Sequence, residues 1–70
     1  MARLAKDRRP AIAEAALAAF IDRGYRQTQV ADVARRLRIA VGTIYTQLKG
    51  KEALFTLAVR HALGLPLDGP

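Results

Sequence analysis

The side chains best equipped for chemistry in this 70-residue chain lie close together, between Val41 and Lys51. Thr43, Tyr45 and Thr46 carry hydroxyls that donate and accept hydrogen bonds, Gln47 adds an amide, and Lys51 an ammonium. Gly42 contributes bare backbone. This is equipment for recognising a surface by hydrogen bonding. For making and breaking bonds the chain is poorly supplied, with no Ser, Cys or Asn and no Gly-rich phosphate loop. The single imidazole, His61, has Leu57, Ala58, Gly64 and Leu65 at its helical neighbour positions, so no carboxylate can orient it as a base. It reads as core-edge structure. One His without Cys cannot build a zinc site either. The expectation is a chain that is not an enzyme and uses no cofactor and no metal.

Charge indicates what such a surface would meet. Twelve Lys and Arg against six Asp and Glu leave +6, with a pI near 10.9, which points to a polyanionic partner. The longest apolar run, Ala15 to Ile21, is seven residues between Glu14 and Asp22, far short of the roughly 20 that cross a bilayer. No secretory pattern opens the chain, so a cytoplasmic location without membrane is expected. Seventy residues suit one small domain. Fourteen of its apolar residues are Ala, and the larger ones, nine Leu, four Ile, four Val, two Phe and two Tyr, suffice for one small helical core.

The elements that must position the polar cluster follow from periodicity. Residues 1–9 carry Arg3, Lys6, Arg8 and Arg9 against Asp7 and show no apolar period, so a flexible basic arm is expected. Pro10 suits the first turn of a helix, and Ile12, Ala15, Ala16, Ala19 and Phe20 continue it at spacings of three and four to about residue 23. Gly24 can terminate it in the left-handed conformation, with Tyr25 then meeting Phe20. Val30, Val33, Ala34 and Leu37 mark a second helix over 30–37, for which Thr28 is the expected N-cap and Asp32 suits the first turns. Arg35 and Arg36 fall off its apolar face. After a break at Arg38–Ala40 a third helix spans 41–47. With Ile44 and Leu48 as its buried side, Gly42, Thr43, Tyr45 and Thr46 face the other way, an uncharged polar surface. A fourth helix over 51–63 buries Leu54, Leu57, Ala58, His61 and Ala62, and residues 64–70 have the composition of a linker or a truncated end.

A short helix, a tight turn and a second short helix with a polar outer face form a helix-turn-helix, about 29–48, in which the second helix lies in the major groove of duplex DNA. The expected fold is therefore all-α and homeodomain-like: a small helical domain over 10–63, with a three-helix core and the start of a fourth.

Arg9-x-x-Ile12-x-x-Ala15-Ala16-x-x-x-Phe20, Gly24-Tyr25-x-x-Thr28, Val33-Ala34, Val41-Gly42-Thr43-Ile44-Tyr45 and Lys51-Glu52-x-Leu54 resemble the DNA-binding domain of the tetracycline-repressor (TetR) family, from about Arg9 to Val59. The resemblance implies the N-terminal part of a homodimeric transcriptional regulator, usually a repressor. A C-terminal helical domain outside this chain would hold the dimer on a palindromic operator and bind a small-molecule effector, and the bound protein would be nucleoid-associated. It also implies roles for residues. Tyr45 matches a phosphate-binding tyrosine, with edge packing as the alternative. Lys51 matches a lysine at a helix start, where ammonium and backbone amides both favour phosphate; a solvated lysine is the alternative. Thr28 matches a threonine that caps the helix and touches phosphate, with capping alone as the alternative. Gly42 matches a position where backbone approaches DNA. Val41, Thr43, Thr46 and Gln47 match positions facing bases or sugar-phosphate; Thr and Val can meet a thymine methyl, and Gln can pair with adenine.

The chain departs from that pattern in the helix-turn-helix itself. Gln29, a DNA-facing candidate, replaces a second hydroxyl residue. Arg38 replaces a turn glycine, so positive φ on a non-glycine residue is expected. Ala40 replaces a capping Ser or Thr, and Gln47 and Leu48 replace aromatic or imidazole residues. Two readings from other classes compete: a protein-interaction module docking through the Leu-rich fourth helix (Leu54, Leu57, Leu63, with Leu65 and Leu67), and non-specific binding of polyanions or membrane surfaces by the basic residues.

Overall fold

A computed structural model describes residues 4–67 and contains four helices: α1 Leu4–Arg23, α2 Val30–Leu37, α3 Val41–Tyr45 and α4 Lys51–Leu63. No strand occurs among the described residues. The fold is all-α, as the periodicity requires.

The core takes one face from each helix. Ile12, Ala13, Ala16, Ala19 and Phe20 come from α1, and Val30, Val33 and Ala34 from α2. Ile44 comes from α3, and Leu54, Leu57 and Ala58 from α4. The small side chains of Ala13, Ala16 and Ala19 on α1 and Ala58 on α4 let helix backbones approach closely. Helices α1 and α4 run antiparallel: Phe20, near the end of α1, meets Phe55 in the first turns of α4, while Arg9 reaches Leu67 beyond its far end. Ala62 is exposed and His61 only half-buried, so the inner stripe of α4 is shorter than expected.

Two boundaries differ from expectation. α1 starts at Leu4 rather than near Pro10, so residues 4–9, expected in a flexible arm, are helical. Proline inside a helix forfeits a hydrogen bond and crowds the preceding turn. Against this, the segment ahead of it is rich in strong helix formers, and Arg9 Nη1 donates to the Leu67 carbonyl at 2.7 Å, fastening this end of α1 to the tail. The same contact changes the reading of the tail. Arg60 Nη1 donates to the Pro66 carbonyl at 3.2 Å and Leu67 packs on the core, so the stretch expected as a linker folds back over α4 as far as Leu67. Residues 1–3 of the expected arm and 68–70 of the expected linker lie outside the described residues.

The other difference is the length of α3, which ends at Tyr45 and not at 47. Its N-cap, Ala40, supplies no side-chain hydrogen bond. At its end Gln47 N donates to the Ile44 carbonyl, three residues back, at 2.9 Å, tightening the last turn out of α geometry.

The α2–α3 turn closes with positive φ at Arg38, as the family resemblance implies. Arg38 sits at φ 60°, ψ 42°, its N–H donating to the Arg35 carbonyl at 3.1 Å, while Ile39 N donates to Ala34 at 3.0 Å. This pair of bonds is the motif that glycine usually makes. On an L-residue with a Cβ the conformation costs roughly 1 kcal/mol or more.

Candidate nucleic-acid interface

The buried side chain that positions the interface is Ile44. It has no exposed surface, and pinning it to the core turns the remainder of α3 outward. Val41 is 41% and Tyr45 52% exposed; Gly42 and Thr46 are exposed, and Thr43 and Gln47 half-buried. The outward arc is thus the one the residue spacing places there. A Cβ built at Gly42 would meet nothing within 4 Å, so nothing inside the molecule calls for glycine. Glycine in a helix nevertheless costs up to about 1 kcal/mol against alanine. The residue keeps the surface of α3 low at that point. Thr46 Oγ1 donates to the Thr43 carbonyl at 2.6 Å, which leaves its lone pairs outward as acceptors.

Thr28 is not where it was expected to be useful. The N-cap of α2 is Gln29, and Thr28 is fully buried. Its hydroxyl lies 2.7 Å from the Gly24 carbonyl and 3.2 Å from that of Ala19, its one proton shared between the two acceptors. It ties the end of α1 to the start of α2 and offers no surface to a phosphate. The residue type suggested a cap, but the hydroxyl is directed back to the carbonyls at the end of α1. Gln29 is exposed, and its backbone N–H donates to Asp32 Oδ2 at 2.8 Å. That bond, with Arg35 and Arg23 beside the same carboxylate, holds Asp32 below its ordinary pKa.

Lys51 opens α4 half-buried, its Nζ 4.4 Å from the centroid of the Tyr25 ring and 3.4 Å from the Arg26 carbonyl, to which it donates. Tyr25 is stacked on Phe20 at 5.5 Å, and Phe55 meets both rings edge-on at 5.2 and 5.1 Å. The Phe20–Tyr25 contact is legible in the residues around Gly24. Phe55 is not, because it falls beside the apolar stripe of α4; its spacing of four from Lys51 was the available signal. Together Tyr25, Lys49, Gly50, Lys51 and Glu52 border an open hollow of about 600 Å³ at the start of α4.

Charge around α3 is distributed unevenly. Arg23 and Arg35 pair with Asp32 at 3.8 and 3.0 Å, and Arg36 with Asp22 at 3.3 Å. Among the described residues Arg26, Arg38 and Lys49 have no carboxylate partner, and the last two bracket α3 in the chain. Along the chain the uncharged polar face therefore has an unpaired cation before it and another after it.

Residues 12–58 match the tetR family of bacterial regulatory proteins. The chain belongs to that family. The matched span runs from the first core residue of α1 to the last of α4 and contains every residue discussed for the interface. No curated protein and no solved structure matches the chain significantly. As a member of the tetR family it is a DNA-binding transcription regulator of helix-turn-helix type. Among the described residues no helix is long and apolar enough to cross a membrane.

Proposed function

We propose that this tetR-family chain reads duplex DNA by sequence, as the DNA-contacting part of a ligand-responsive repressor. The observation that carries this reading is the outward face of α3, Val41, Gly42, Thr43, Tyr45 and Thr46, uncharged and standing over the buried Ile44. Such a face suits base edges in the major groove, where charge is not required and small side chains admit close approach. Gln47, half-buried at its far end, borders the same groove. Tyr45 and Lys51 serve as phosphate contacts that fix register, with exposed Gln29 at the start of α2 beside them. Thr28 drops out of this set because it is buried.

In the working regulator two copies, joined through a domain outside this chain that also takes the small-molecule effector, would occupy a palindromic operator in the cytoplasm. The test is a duplex titration over a range of salt. Lys51→Ala should weaken all duplexes about equally and lower the salt slope by about 1, whereas Tyr45→Phe should weaken them without changing the slope. Unchanged affinity in both variants would contradict the assignment.

A docking role for α4 draws support from one observation. Phe55, Val59 and Leu63 form an exposed apolar stripe, with Leu63 68% exposed. Of the leucine surface the residues suggested, Leu63 and Leu65 are exposed, whereas Leu54 and Leu57 are buried in the core and Leu67 packs against it.

A further inference from the structure

Among the described residues, three segments leave a helix through the left-handed region. At two of them the residue is glycine, Gly24 at φ 82° and Gly64 at φ 73°. The third is Arg38 at φ 60°, the one non-glycine residue with positive φ among the described residues. The backbone bonds at that turn require only a residue that accepts the conformation, which glycine does without strain. Nothing within the fold rewards the arginine. Its neighbours in type are satisfied, Arg35 by Asp32 and Arg36 by Asp22, whereas Arg38 is exposed and its side chain makes neither an ion pair nor a hydrogen bond among the described residues.

The placement of Arg38 is nonetheless well defined. Its N–H and that of Ile39 are bonded back to Arg35 and Ala34, and Ile39 packs on the core. Val41 is three positions further on, so the Arg38 Cα lies within about 11 Å of the start of the outward face of α3. Lys49 and Lys51 stand on the far side of that face along the chain. A strained residue held in place by its surroundings points to a role outside the fold, and a guanidinium is matched in shape and charge to a phosphate.

We propose that Arg38 is a phosphate-anchoring residue of the DNA interface, preceding α3 in the chain as Lys49 and Lys51 follow it. It is a positioning residue: a phosphate carries no sequence information, so Arg38 sets register and affinity without choosing bases. The inference rests on the DNA-binding reading given above.

The experiment compares the wild-type chain with Arg38→Gly and Arg38→Lys by fluorescence anisotropy on short labelled duplexes of unrelated sequence, through a salt series, alongside thermal melts. Arg38→Gly should melt no lower than wild type, so any loss of binding is not loss of fold. It should bind every duplex more weakly by a similar factor, about threefold or more at low salt, with the log–log salt slope reduced by about 1. Arg38→Lys, which keeps a cation on the same backbone, should retain the wild-type slope. Wild-type affinity and slope in Arg38→Gly, with the wild type binding normally, would overturn this proposal and leave the DNA-binding reading intact. A wild-type chain that binds no duplex at low salt would overturn the reading itself, and the anchoring role with it.

Discussion

The ammonium of Lys51 lies 4.4 Å from the centroid of the Tyr25 ring, so the first residue of α4 is held by the aromatic residue just past the end of α1. A cation over an aromatic face gains roughly 0.5–2 kcal/mol depending on exposure. The contact keeps an ammonium at the edge of the hollow bordered by Lys49 and Gly50 instead of leaving it to sample solvent.

Tyr25→Ala should therefore do two things. It removes ring contacts with Phe20 and Phe55, each worth about 0.5–1.5 kcal/mol, and so should destabilise the fold by about 1–3 kcal/mol. It should also weaken duplex binding at temperatures where the variant remains folded, because Lys51 loses its support. Chemical denaturation and a binding titration on the same variant would check both, and unchanged stability would contradict the ring cluster's role.

Thr28→Val keeps the shape of the side chain and removes its hydroxyl. With the donor to Gly24 and Ala19 gone, stability should fall by about 1 kcal/mol. Duplex affinity of the folded protein should not change. Loss of affinity with stability retained would restore Thr28 as a phosphate contact and contradict the buried role described here.

Thr28 also illustrates what the residues disclose. Elements with a strong period and a marked end, α2 and α4, run over the residues their spacing implies. The outward arc of α3 was equally legible, since one buried residue, Ile44, decides it. The left-handed turn at Arg38 was legible only through the family resemblance, in which glycine usually stands at that position. Three things depended on how separate elements meet. Helix ahead of Pro10 is accompanied by the Arg9–Leu67 bond, 58 residues apart. The inward hydroxyl of Thr28 reflects how α1 and α2 meet, and the place of Phe55 reflects the neighbouring rings at the end of α1.

Asp32 predicts an acid-side dependence of stability. Its carboxylate accepts the Gln29 N–H and, with Arg35 and Arg23 beside it, titrates below its ordinary value in the folded state. A depressed folded pKa means that this contribution is fully present above the unfolded value, about 3.9, and is lost as pH falls through the folded one. Melting temperatures should fall as pH drops below about 4, and Asp32→Asn should flatten part of that decline while lowering stability at neutral pH. An acid profile unchanged by Asp32→Asn would contradict the assignment.

Ile44 carries the largest structural responsibility for the interface. Ile44→Ala leaves a cavity beneath α3 and should cost about 2–5 kcal/mol. For a domain of this size that is a large part of a total near 4–10 kcal/mol. Circular dichroism should show a markedly lower melting temperature; a stability within about 0.5 kcal/mol of wild type would mean that α3 is held by other contacts.

The central claim is that the outward face of α3 reads bases. The most direct measurement selects bound sequences from a random duplex pool, using two covalently linked copies of the chain for avidity, once with wild type and once with Thr43→Ala. The account predicts an enriched inverted repeat for wild type and, for Thr43→Ala, a preference altered at particular base pairs within each half-site. No enrichment by the wild type, or an identical preference in both, would contradict it.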